Sequence, residues 1–169
     1  MNGSQYEREL RAILEGDEKT LNKIIKSCST LEKDNYLLIK EKPFAVIRAA
    51  GSLGIDLVAV RGDISFLIEI KSSSQPILHF STMAGKLQQQ AESIQKTCEK
   101  TCTLPIYAFR LKNYRGDTWK LFTLDVKQLT GRLHILHKRL PLLEKSKNNN
   151  YIMRWEHGMN LSDFISYLS

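Results

Sequence analysis

Three charged residues interrupt two apolar, largely β-branched runs: Asp56 near the start of the first (55–60), Glu69 inside the second (64–70), and Lys71 just beyond it. Arg61, Gly62 and Asp63 separate the runs. A Gly-Asp pair between strand-like segments reads as a β-hairpin, with Gly at the first central position suiting the favoured tight turns. With Gly62 and Asp63 as the loop, Arg61 faces Ile64 and Asp56 falls opposite Glu69, where Cβ atoms stand about 4.5–5.5 Å apart. Lys71, two residues past Glu69, projects from the same sheet face. Opposed like charges destabilise a sheet, and charges are expensive to bury unless paired or bound to metal. Mg²⁺, with Mn²⁺ as a substitute, offers that compensation, because it favours oxygen ligands and is held by one or two carboxylates plus water and phosphate. An adjacent Lys can orient or activate a water and stabilise developing negative charge. Such a set suits phosphodiester hydrolysis. The plainer alternative is a structural Glu69–Lys71 pair at a strand end, with Asp56 capping a turn.

The surrounding sequence supplies elements to position these groups. Ser4 is placed to cap a helix over Gln5 to Leu14, with Glu7 three residues on completing a capping box. A second helix is predicted from Glu18 to Glu32, with Leu21, Ile24, Ile25, Cys28 and Leu31 on one face. Asn35 to Ile39 reads as a helix end or a short strand. After the break at Pro43, Phe44 to Arg48 reads as a strand leading into the Gly51-Ser52 loop, its terminal Arg48 aimed at the site. A polar turn at Gln75 and Pro76 precedes the apolar stretch Ile77–Phe80, and further strands are predicted at Pro105–Leu111, Thr118–Leu124 and Tyr151–Trp155. A helix over Met83–Lys100 turns Leu87, Ala91, Ile94 and Cys98 inward. Asp125–Leu129 reads as a helical turn ended by Gly131, and Lys145–Asn150 as a flexible loop. His134 and His137 have helical metal-ligand spacing but no third ligand, and read as surface or groove residues. Asn160 or Ser162 caps a last helix bearing Leu161, Phe164, Ile165 and Leu168, which packs on the sheet or in a subunit contact.

A chain of 169 residues with 42% hydrophobic and 25% charged content fits one ordinary globular domain. Its net charge of +7 and pI near 9.3 favour a polyanionic partner. No apolar run approaches the roughly 20 residues of a membrane span, and Glu7, Arg8, Glu9 and Arg11 interrupt any signal-peptide core. Three cysteines without CxxC spacing read as reduced thiols of an intracellular, cytoplasmic protein, not as zinc ligands. There is no internal repeat, Gly-rich phosphate loop or Ser–His–Asp signature.

The motifs Gly51-Ser52…Asp56 and Ile68-Glu69-Ile70-Lys71-Ser72-Ser73 resemble the PD-(D/E)xK nuclease superfamily. More narrowly, Glu7-Arg8-Glu9-Leu10 and Val46-Ile47-Arg48-Ala49-Ala50-Gly51-Ser52 ahead of Asp56 and Glu69-Ile70-Lys71 are similar to the archaeal Holliday junction resolvase family, over about residues 4–14 and 43–125. Ile55 replaces the Pro that names the superfamily motif. The resemblance implies an α/β, restriction-endonuclease-like fold: a mixed central sheet of about five strands flanked by helices. It also implies a single nuclease domain over 1–169, with 15–42 a helical insertion and 132–169 a C-terminal extension. The implied activity is resolution of four-way DNA junctions by metal-dependent hydrolysis. Glu7, in preference to Glu9, would complete the Asp56–Glu69 metal set, though Glu7 also reads as a cap partner. Lys71 would position water, and Ser52 would contact phosphate or set metal geometry. Arg8, Arg48 and Lys86 would hold DNA, with Gln90 an alternative to Lys86. A homodimer matches the two cuts a junction needs, and a replication or repair clamp is a partner by family analogy. Two other readings fit the same residues: a restriction-like or repair nuclease of the superfamily, and a nucleic-acid-binding module whose acidic residues are structural.

Overall fold

A computed structural model of the chain describes residues 3–50 and 54–169. In chain order the elements are α1 (Gly3–Leu14), α2 (Glu18–Ile24), α3 (Thr30–Leu37), β1 (Ala45–Arg48), β2 (Leu57–Arg61), β3 (Ile64–Ser73), β4 (Ile77–His79), α4 (Lys86–Thr101), β5 (Leu104–Leu111), β6 (Trp119–Phe122), α5 (Gly131–Arg139), β7 (Glu144–Lys145), β8 (Tyr151–Arg154), β9 (Met159–Asn160) and α6 (Leu161–Leu168). Six strands form a mixed sheet in the order β1-β2-β3-β5-β6-β9. Every neighbouring pair is antiparallel except β3 and β5, which run parallel because α4 carries the chain across between them. The α/β class holds, and β9 adds one strand to the expected five. Within the apolar stretch Ile77–Phe80, β4 joins β8 and β7 in a separate three-stranded sheet, order β4-β8-β7.

Alternation along the strands divides the core into two layers. Phe66 and Ile68 of β3, Ile106 of β5 and Leu121 of β6 meet Leu10 and Leu14 of α1 and Leu161 and Phe164 of α6 on one face. Phe66 stands edge-on to Phe164 (5.6 Å) and to Phe44 (5.0 Å), a geometry that adds to the area these rings bury. The other face is covered by α4, through buried Ala91, Ile94 and Cys98, and by the small sheet. There Phe80 packs between Tyr107 (5.6 Å) and Tyr151 (6.1 Å), and the Gln88 side chain accepts from the Tyr151 amide (2.7 Å), fixing α4 to β8. Between β5 and β6, buried Asp117 accepts from the Tyr36 hydroxyl (2.6 Å) and the Ser162 amide (3.0 Å), tying α3 and the start of α6 to the sheet. Burial pushes the Asp117 carboxyl above its ordinary range, against the pull of those bonds.

Several local expectations are corrected. The helix predicted over Glu18–Glu32 is two helices, because Ser29 caps α3: its hydroxyl accepts from the Glu32 amide (3.3 Å) while Glu32 accepts from the Ser29 amide (2.9 Å). That reciprocal pair satisfies two donors that a continuous helix would bond elsewhere. Leu31, expected inside, is therefore turned to solvent. Ser4 lies within the first turn of α1, not ahead of it. Gly131 does not end a helical turn at 125–129; with φ +58° it opens α5, and His137 of that helix bonds the Leu124 carbonyl oxygen (2.8 Å). Lys145–Asn150 is the turn of a β7–β8 hairpin, closed by the Ser146 amide on the Asn150 carbonyl (2.8 Å). No helix among the described residues is long and apolar enough to cross a membrane.

Candidate active site

The β2–β3 hairpin has the register that the two-residue Gly62-Asp63 loop predicts, with Arg61 opposite Ile64 and Leu57 opposite Ile68. Its turn closes differently, since Gly62 does not use a positive φ. The Arg61 guanidinium instead grips Asp63 through Nε (2.6 Å) and Nη2 (2.9 Å) and lies over the Phe44 ring (4.5 Å). Arg61 also donates to the carbonyls of Lys42 and Leu168 (both 2.7 Å), and Arg132 pairs with Asp63. Arg61 and Arg132 hold the Asp63 carboxyl down at about 2.

At the opposite end of the hairpin the ladder is modified. The Asp56 amide donates to the Ile68 carbonyl (3.0 Å), and the Ile70 amide donates to Asp56 Oδ2 (2.8 Å). The aspartate side chain thus takes the place of a main-chain acceptor, which pins it beside Glu69. Glu69 is 5% exposed. Its Oε1 accepts from Lys71 Nζ (2.7 Å) and Gln90 Nε2 (3.0 Å), whereas Oε2 is buried with no hydrogen-bond partner among the described residues. Lys71 Nζ donates also to Gln90 Oε1 (3.1 Å), and Gln90 Nε2 to the Gly54 carbonyl (3.0 Å). One amide of α4 therefore braces the acid, the base and the chain leading to Asp56.

Burial dominates the electrostatics. It pushes the Glu69 carboxyl up to about 7; Lys71 opposes the rise and the Asp56 charge adds to it. Asp56 is raised by burial as well, with the Ile70 amide pulling back and Glu7 pushing further. Two carboxyls that resist ionising together call for a shared proton or a cation.

The structure thus brings Asp56, Glu69 and Lys71 together and adds Gln90 to them. Lys86 stands exposed at the start of α4, one turn before Gln90. Of the Gln88-Gln89-Gln90 run, Gln88 faces Tyr151, Gln89 is exposed, and Gln90, expected as the alternative to Lys86, is the one that reaches the acids among the described residues. Glu7 stands apart with its carboxylate on Arg48 (Nη2 2.7 Å, Nε 3.2 Å), near enough to raise Asp56. Glu9 is committed elsewhere, accepting from Arg110 Nε (2.9 Å) and Trp119 Nε1 (2.8 Å). Arg8 folds back on the carbonyl and hydroxyl of Ser4. Ser52 lies outside the described residues. Among the described residues no group of three or more His, Cys, Asp or Glu side chains is close enough to hold a metal.

A sheet of this topology, with an acid pair and a lysine at the end of its central hairpin, has the architecture of a nuclease. The family model described as archaeal Holliday junction resolvase (hjc) matches residues 23–168, and the chain belongs to that family. The matched span takes in residues 23–42 of the 15–42 segment expected as an insertion. Among solved structures the chain is similar to Hjc, a Holliday junction resolvase from the archaeal hyperthermophile Archaeoglobus fulgidus, at 18% identity and a TM-score of 0.54, covering 97% of this chain and 95% of that one. No curated protein matches the chain. The protein is a structure-selective DNA endonuclease that resolves four-way junctions in recombination and repair by phosphodiester hydrolysis, and its family is a metal-dependent group acting on branched DNA.

Proposed function

We propose that Asp56 and Glu69 are the carboxylates that hold Mg²⁺, with Mn²⁺ as a substitute, for junction cleavage. The observation carrying this is Glu69 Oε2: a buried carboxylate oxygen with no hydrogen-bond partner among the described residues, beside a second carboxyl, Asp56. Hard oxygen donors of this kind fit Mg²⁺, which completes its shell with water and phosphate oxygens. When bound, the ion would lower the pKa of a coordinated water and neutralise charge on the phosphate.

The protein's own groups do the rest. Lys71, steadied by Glu69 and Gln90, positions the attacking water and places positive charge where the phosphorane oxygens develop negative charge. Glu7 joins the carboxylate set directly or through water on release from Arg48, which then turns to a backbone phosphate. Arg8, Lys86 and Ser52 are assigned to the phosphate backbone. Such contacts position a junction without reading bases. Two copies related by a twofold axis would present two such sites to the two strands that must be cut. A sliding clamp is proposed as a further partner, and the cytoplasmic nucleoid as the place of action.

The test is incubation of purified protein with a labelled four-way junction in Mg²⁺ and then with chelator. Asp56→Asn and Glu69→Gln should retain junction binding and lose cleavage. Undiminished cutting by either variant would refute the assignment.

A further inference from the structure

Tyr107 sits on β5 directly beside Glu69 of β3 in the parallel register, about one strand spacing away. Its side chain is fully buried, and its hydroxyl, like Glu69 Oε2, has no hydrogen-bond partner among the described residues. Two of the three buried side-chain polar atoms without partners among the described residues thus belong to cross-strand neighbours on one sheet face. A buried hydroxyl without a partner costs stability, and a phenylalanine would avoid that cost. The ring needs no hydroxyl for its own packing against Phe80. Burial first, and then the Glu69 charge, push the phenol far above its ordinary range, so the hydroxyl keeps its proton near neutral pH and can donate it in a hydrogen bond.

Glu69 has one oxygen saturated by Lys71 and Gln90 and one with both lone pairs unused. We infer that Tyr107 is a positioning residue for the cleavage site: unpaired in the metal-free protein, its hydroxyl donates to Glu69 Oε2 once a cation is bound, through a small carboxylate rotation or one bridging water. The second lone pair of that oxygen is then directed at the cation, and the bond favours the ionised form of Glu69. The inference rests on the reading of Glu69 as a metal ligand. It concerns a residue that neither touches substrate nor binds metal itself.

Tyr107→Phe tests it on the purified full chain, with Mn²⁺ alone as the probe. In chelator its melting temperature should equal or exceed that of the parent, because only an unpaired hydroxyl has been removed. Mn²⁺ affinity by titration calorimetry should fall about tenfold, the scale of one hydrogen bond to a charged acceptor. The pH at half-maximal Mn²⁺ binding should move upward. A melting temperature well below the parent's would overturn the inference by making the hydroxyl structural. Mn²⁺ affinity within twofold of the parent, measured where Glu69→Gln abolishes binding, would overturn the role of Tyr107 alone. Mn²⁺ binding that survives Glu69→Gln would remove the ligand assignment, and this inference with it.

Discussion

Glu69 should make the metal-free protein less stable as pH rises. Its carboxyl moves from 4.5 to about 7 on folding, chiefly by burial. Above pH 4.5 the unfolded chain gives up this proton while the folded chain keeps it, so the unfolded state gains until pH passes about 7. The interval between the two values, at about 1.4 kcal/mol per pH unit, is worth roughly 3 kcal/mol. Asp56, raised by the same cause, acts in the same direction. For a chain of this length that is about 6–12 °C in melting temperature. The assay is thermal unfolding in chelator from pH 4.5 to 8, for the parent and for Glu69→Gln, with the difference taken at each pH. The parent should lose ground to the variant across that window, and saturating Mg²⁺ should flatten the trend. A difference that stays constant with pH would refute the claim that burial holds Glu69 protonated.

Gln90→Ala removes the brace on Lys71, Glu69 and the Gly54 carbonyl; cleavage should drop about 10–100-fold with junction binding by gel shift retained, and a change under twofold would contradict the bracing role. Gly158→Ala places a Cβ 2.6 Å from Lys120 Cβ and 2.8 Å from the Phe122 ring; it should cost about 1–3 kcal/mol in urea unfolding, and an unchanged midpoint would show that the contact relaxes freely. Glu9→Gln weakens the half-buried bonds to Arg110 and Trp119; it should cost about 1.5–3 kcal/mol of stability while cleavage per folded molecule is kept, so a selective loss of cleavage would return Glu9 to the metal site. Junction affinity should fall linearly on a log–log plot against salt concentration, and a flat plot would exclude phosphate contacts as its main source.

The reactive hairpin was legible because two short-range signals agreed: period-two alternation set the faces, and a two-residue loop set the register, placing Asp56 beside Glu69. The turn was right for a partly wrong reason, since Arg61 and Asp63 close it where glycine freedom was expected. The break at Ser29 was also written locally, as Ser-x-x-Glu over 29–32, but a continuous apolar stripe from Leu21 to Leu31 masked it. The β4-β8-β7 sheet was not legible, because β4 lies far in sequence from the β7–β8 hairpin it joins and pairs through backbone groups that every residue type carries. Gln90 was half-legible: α4 was foreseen and Gln90 stood as an alternative to Lys86, but choosing between them requires the helix's rotation against the sheet. Glu7 shows the converse limit, since motif order placed it near the site without revealing that Arg48 would hold it.

The grip of Arg61 on Leu168, with Arg132 on the adjoining Asp63, has a practical corollary for anyone handling the protein. The tip of the hairpin bearing both acids is moored to the final turn of α6 and to the backbone before Pro43. Disrupting the last turn of α6 would cut one of those moorings. Poor cutting by a version altered in α6 should first be blamed on a slackened hairpin.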